Sequence, residues 1–98
     1  MVLYTTAKTA LAGFTRAQAL EWAPHGIQVN CIGPGFFPDV VTGGPERVRD
    51  AEKRAKAQVP LGRVGELDEV GYLALYLAAP ASAYMTGQPI LLAGGLGL

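Results

Sequence analysis

Two short apolar runs separated by helical patterns constrain this chain more than any other feature. Ile27-Gln28-Val29-Asn30-Cys31-Ile32 is rich in β-branched residues and is bounded by Gly26 and by the sharp loop Gly33-Pro34-Gly35, so it reads as a strand. Pro89 to Ala93 is a second such run, ended by Gly94-Gly95. Two helical patterns, Glu46–Gln58 and Leu67–Ala79, lie between them, and a third, Thr5–Ala23, comes before both. The order helix, strand, helix, helix, strand predicts an α/β architecture with two parallel strands joined by a right-handed crossover. Two parallel strands are too few for an ordinary α/β domain, whose sheet is covered on both faces. The pattern therefore reads as the tail of a larger α/β sheet.

The first helical pattern is rich in Ala and Leu and has no interior proline. Ala7, Leu11, Phe14 and Gln18 share one face, with Ala10, Ala17 and Leu20 close by, the period of a packed helix. Its small residues (Ala7, Ala10, Ala12, Gly13, Ala17) suit the close approach of another helix, and Pro24 with Gly26 stops it. Phe36 to Thr42 reads as a loop with exposed aromatics. Gly43-Gly44-Pro45 is a breaker before the charged helix, where Arg47 to Lys56 alternate with Glu46, Asp50 and Glu52; that alternation predicts a solvated face. Asp68 is placed to cap the last helix and Pro80 to end it.

Composition narrows the function classes. With 98 residues the chain is one domain at most, and a chain of that length buries only about 60–65% of its unfolded surface. Half its residues are hydrophobic and 16% are charged, which fits a piece of a three-layer protein whose faces are covered by something else. The net charge is zero, so nothing favours nucleic acid or an acidic membrane surface. The lone cysteine, Cys31, excludes a disulfide within the chain and suits a reducing cytoplasm; its apolar surroundings predict a buried, inert thiol. His25 is the only histidine and sits in turn chemistry, and no carboxylate cluster has metal-ligand spacing, so no metal is assigned. Met1 is followed by no basic region, which argues against a signal peptide, and the run Leu73–Ala79 is far short of the about 20 residues that span a membrane.

Tyr4 and Lys8 carry the chemistry. Four residues apart at the start of a helix, they stack on one face a turn apart. A phenol ionises near pH 10, and a nearby ammonium stabilises the phenolate and lowers that value. The tyrosine then exchanges a proton with an alcohol or carbonyl near neutral pH. By itself the spacing also describes an ordinary surface pair. Here, however, Tyr4-Thr5-Thr6-Ala7-Lys8-Thr9-Ala10-Leu11 is followed in order by Gly13-Phe14-Thr15-Arg16, by Glu21-Trp22-Ala23-Pro24-His25-Gly26-Ile27-Gln28-Val29-Asn30 and by Gly33-Pro34-Gly35. Then come Pro60-Leu61-Gly62-Arg63-Val64-Gly65, Asp68-Glu69-Val70, Tyr84-Met85-Thr86-Gly87-Gln88 and Gly94-Gly95. Over essentially its whole length the chain resembles the short-chain dehydrogenase/reductase family.

The resemblance implies a Rossmann-like, doubly wound parallel sheet, of which residues 1–98 would form the C-terminal part of the dinucleotide-binding domain, with about two strands and three to four helices. It implies NAD or NADP as cofactor and hydride transfer to or from an alcohol or ketone, the chemistry of class EC 1.1.1.-. It implies that Tyr4 is the catalytic acid/base. Lys8 lowers its pKa and bonds the nicotinamide ribose. Pro34 and Gly35 match the loop that passes the nicotinamide, and Phe37 the position whose backbone contacts the carboxamide. Asp39 stands where a Thr or Ser usually contacts the cofactor and would set a like charge toward the pyrophosphate, with Thr42 near enough to substitute in part. Phe36 to Gly62 matches the variable lid over the substrate, and Phe36 and Phe37 fit either an apolar pocket lining or core contacts. Ala93 stands where the family commonly has Asp.

The glycine-rich phosphate loop of the family, Thr-Gly-x-x-x-Gly-x-Gly after a first strand, does not occur in these residues. The chain alone is therefore expected to bind the cofactor poorly and to lack full activity. A second reading is a non-catalytic interaction module or truncation product. The Ile27–Ile32 strand would present an unpaired edge, and the 5–23 helix resembles the family's dimer-forming helix, so a homo-oligomer is expected.

Overall fold

A computed structural model of the chain describes residues 2–38 and 43–98, the side chain of Tyr4 excepted. Its elements are α1 (Val2–Trp22), β1 (Cys31–Pro34), α2 (Gly44–Gln58), α3 (Leu67–Ala78) and β2 (Pro89–Leu92), with single 3-10 turns at Ala23–His25 and Pro80–Ser82. The expected order of helix, strand, helix, helix, strand holds. β1 and β2 pair as a two-stranded sheet. The Cys31 N–H donates to the Gln88 carbonyl (2.9 Å) and the Gly35 N–H to the Leu92 carbonyl (3.0 Å). The bonds advance in the same direction on both strands, which makes the pair parallel.

The first strand starts later than its β-branched run suggests. Residues 27–30 are not in the ladder, and β1 takes in Gly33 and Pro34 instead of stopping before them. The reason lies in side chains. The Val29 N–H donates to Thr86 Oγ1 (3.0 Å), and the Gly87 N–H returns to the Val29 carbonyl (2.7 Å). Gln28 Nε2 donates to the carbonyls of Ser82 and Met85. Asn30 Nδ2 reaches the Met85 carbonyl (3.3 Å), and Asn30 Oδ1 accepts from the Gln88 N–H (3.1 Å). This stretch is zipped to residues 82–88 partly by side chains, which strand periodicity does not report. Pro34 costs the ladder nothing, because in a strand alternate N–H groups point to opposite sides and Cys31 and Gly35 are the ones that face β2.

The chain divides into two compact units, Met1–Ile32 with Tyr76–Ile90 and Gly33–Leu75 with Leu91–Leu98. In the first, the buried residues are Thr15, Ala19 and Ser82. Each polar one is satisfied: Thr15 Oγ1 donates to the Leu11 carbonyl (2.8 Å), and the Ser82 hydroxyl lies 2.9 Å from the Leu77 carbonyl and 3.1 Å from that of Ala79. Ala19 lies against Gly87, where an added Cβ would stand 3.3 Å from its methyl. The packed face of α1 is thus not the expected one. Leu11, Phe14 and Leu20 are exposed, the last at 79%. Helical period gives a face that is apolar, but the small residues Thr15 and Ala19 are those that find neighbours within the unit. Cys31, expected to be buried, is half-buried.

In the second unit Ala55 and Val59 are buried. The remainder of α2 is largely solvated, as its charge alternation predicts, and carries an exposed Asp50–Arg54 pair at 3.2 Å. α3 starts one residue ahead of its expected cap. Asp68 therefore lies in the first helical turn, and it is Glu69 whose carboxylate reaches back to the Glu66 N–H (3.0 Å), one half of a capping box. Among the described residues no helix is long and apolar enough to cross a membrane.

Asn30 offers a direct test of the side-chain zip. Asn30→Ala removes the acceptor of the Gln88 N–H at a half-buried site and is expected to cost about 1–2 kcal/mol in chemical denaturation. Amide exchange at Gln88 should accelerate. Unchanged stability and unchanged exchange would show that the zip is not a structural determinant.

Candidate active site

α1 supplies Tyr4 and Lys8. Both lie in its first two turns, four residues apart, and positions at that spacing are neighbours on a helix surface. Lys8 is exposed; the side chain of Tyr4 lies outside the described residues.

β1 delivers the next group in consecutive order. Pro34 is its last residue and is exposed; Gly35, Phe36 and Phe37 follow and are half-buried. Gly35 has a steric reason to be glycine. A Cβ built there would sit 2.8 Å from Ala93 Cβ and 2.9 Å from Ala93 Cα, so any side chain would force two backbones apart. The small residue at 93 is thus half of a close pass. Phe36 and Phe37 are not the exposed aromatics expected of this loop. Together with Val59, Leu61, Leu92 and Ala93 they line a cavity of about 100 Å³. Their apolar rings leave solvent because this cavity wall accepts them. Asp39 and Thr42 lie outside the described residues.

One cluster at this cavity was not assigned a role from sequence. Arg63 grips Glu69 with both arms, Nη1 to Oε1 at 2.7 Å and Nη2 to Oε2 at 3.3 Å. The Gly65 N–H donates to the Phe36 carbonyl (2.8 Å). Arg63 lies in the loop before α3 and Glu69 within that helix, so no single period relates them, and only the capping geometry of Glu69, three residues after Glu66, is readable from sequence. The hydrogen bond from Arg63, and next the N–H of Glu66, hold the Glu69 carboxyl below the usual glutamate range. The same pairing with Glu69 raises the Arg63 guanidinium. Among the described residues no group of three or more His, Cys, Asp or Glu is arranged to hold a metal ion.

Known proteins share this pattern. The family described as enoyl-(acyl carrier protein) reductase matches residues 1–97. The 2-dehydro-3-deoxy-D-gluconate 5-dehydrogenase of Bacillus subtilis is 42% identical over 95 residues, covering 94% of this chain and 36% of its own length. The 3-oxoacyl-[acyl-carrier-protein] reductase FabG of Aquifex aeolicus is 37% identical over 95 residues, covering 97% of this chain and 38% of that protein. The solved structure described as the Pseudomonas aeruginosa RhlG/NADP active-site complex superposes with a TM-score of 0.84 at 39% identity, over 97% of this chain and 38% of that one. The chain thus spans little more than a third of the length of these relatives.

The Arg63–Glu69 grip makes a pH prediction. Because the folded-state pKa of Glu69 is the lower one, its contribution to stability is present above the unfolded value and is lost as pH falls through the folded one. The carboxyl carbon shift of Glu69 should titrate below that of the acid-unfolded chain, and Arg63→Gln should move the midpoint up. A Glu69 midpoint indifferent to Arg63 would contradict the assignment.

Proposed function

The chain belongs to the short-chain dehydrogenase/reductase family, and from that premise we propose that it carries the proton-transfer side of an NAD- or NADP-dependent site acting on an alcohol or ketone. The observation that carries this reading is the Tyr4–Lys8 pair at the start of α1, followed in order by the strand and bare turn at Pro34-Gly35. In this reading residues 1–98 are the C-terminal part of a dinucleotide-binding domain, working in the cytoplasm.

The residues fit a nicotinamide cofactor. The exposed Lys8 carries donors of the kind a ribose hydroxyl accepts, and Gly35 follows directly where the strand ends. The bound cofactor supplies or takes up the hydride at the carbonyl carbon. In reduction Tyr4 gives its phenolic proton to the carbonyl oxygen as the C=O double bond becomes a single bond. In oxidation the phenolate takes that proton back. Lys8 stabilises the phenolate, which brings the exchange within reach of neutral pH. Pro34 and Gly35 would lie along the nicotinamide, and the Phe37 backbone would hold its carboxamide. By the family's pattern Asp39 stands where a Thr or Ser contacts the cofactor and would set a like charge toward the pyrophosphate, with Thr42 the candidate to substitute in part; both lie outside the described residues.

The test joins this chain, in place of the corresponding third, to the preceding part of Aquifex aeolicus FabG and follows NADPH-dependent reduction of a ketone panel. The expected result is turnover by the fusion, none by the 98-residue chain alone, and a loss of about 10²–10⁴-fold on Tyr4→Phe. A folded but inactive fusion, or one indifferent to Tyr4→Phe, rules the reading out.

A second reading has its own support. Leu3, Phe14 and Leu20 on α1 are 85%, 59% and 79% exposed, a set of large apolar side chains whose cover lowers the free energy. We propose that α1 mediates self-association into a homo-oligomer. Light scattering of the chain should report a dimer or larger, and Phe14→Glu with Leu20→Glu should shift it to monomer; a monomer without these changes would dismiss it.

A further inference from the structure

The stretch Arg63–Glu69 meets the Phe36–Phe37 turn in two ways. The main chain is tied by the Gly65 N–H to the Phe36 carbonyl at 2.8 Å. The side chain is seated on the same residue. A Cβ built at Gly65 would overlap Cε1 and Cζ of the Phe37 ring and lie 2.9 Å from its Cδ1. The ring edge therefore fills the space that any other residue at 65 would need. Arg63 and Glu69 hold this stretch from its two ends, through their paired hydrogen bonds and the Glu66 N–H. The ring belongs to the wall of the 100 Å³ cavity with Val59 and Leu92.

We propose that Gly65 is a positioning residue: its missing Cβ sets the orientation of the Phe37 ring, beside the main-chain tie to Phe36. The consequence for catalysis rests on the reading above, in which Gly35 and Phe37 lie along the nicotinamide. A methyl at 65 cannot coexist with the ring where it now lies. The ring is the mobile partner, since its far edge is what the methyl meets, while the Gly65 N–H bond to Phe36 is geometrically independent of that clash. Gly65→Ala thus expels the ring, and deleting the ring relieves the conflict.

The coupling is measured first on the full 98-residue chain by NMR. The expected result is a proximity signal between the Phe37 ring and the Gly65 Hα, lost in Gly65→Ala together with shifts of the Phe36 and Phe37 amides. In a Phe37→Ala background the same change at 65 should move those amides little. Should Gly65→Ala fail to fold, recovery of folding on adding Phe37→Ala gives the same answer. Equal perturbation by Gly65→Ala with and without the ring, or no ring contact in the unaltered chain, overturns the proposal. In the active FabG fusion, Gly65→Ala should lower kcat at least about tenfold while the Kd for NADPH stays within about threefold, because a ring displaced from the site wall disturbs alignment more than affinity. Phe37→Val should rescue most of that loss. A fall in kcat accompanied by an equal rise in Kd would mark a merely structural role and also overturn the proposal. Ring coupling in a fusion that is inactive throughout would remove the proposed function and leave the seat at Gly65 standing.

Discussion

The register of the parallel pair is set by three side chains that bridge stretches of chain far apart in sequence. Gln28, Asn30 and Thr86 make their bonds just ahead of the ladder, so β1 and β2 enter pairing already aligned. A slip by one residue would turn every side chain of a strand to the opposite face. It would also break the bond from the exposed Gln88 N–H to the Asn30 amide, a smaller and more local cost because water can take its place. The order of the strand ends follows from that register. Gly35 comes level with Ala93, and the Phe36–Phe37 turn begins beside the last strand.

How much of this was legible depended on the kind of interaction. The three helices announced themselves because period, breakers and charge alternation are local, and their ends were displaced by only a few residues. The start of β1 was misread because Gln28 and Asn30 spend their polar groups on main chain more than fifty residues later, a pairing no local pattern contains. The packed face of α1 was misread for a related reason. Periodicity ranks residues by hydrophobicity, whereas Thr15 and Ala19 are buried because they are small and self-satisfied. The pair Tyr4–Lys8 was legible as a motif, since one helical turn fixes its spacing. Gly65 was not, because its significance is the absence of an atom beside a ring twenty-eight positions earlier.

The surface reflects the same composition seen in the sequence. With half its residues hydrophobic, the chain places few of them in either small core, and large side chains such as Leu3, Leu75 and Tyr84 stand open. The cores instead use alanine, threonine, serine and valine. Interiors built from small residues gain little transfer energy per position.

The close pass between Gly35 and Ala93 bears on how such a chain can change over generations. A mutation at position 35 cannot be rescued by shortening its neighbour. Replacing Ala93 with glycine removes the Cβ contact but leaves the Cα, which stands 2.9 Å from where a new side chain would begin. Neither order of the two mutations passes through a comfortable intermediate. Position 35 is thus closed to neutral drift, whereas the neighbouring exposed positions of α2 remain free to wander in sequence.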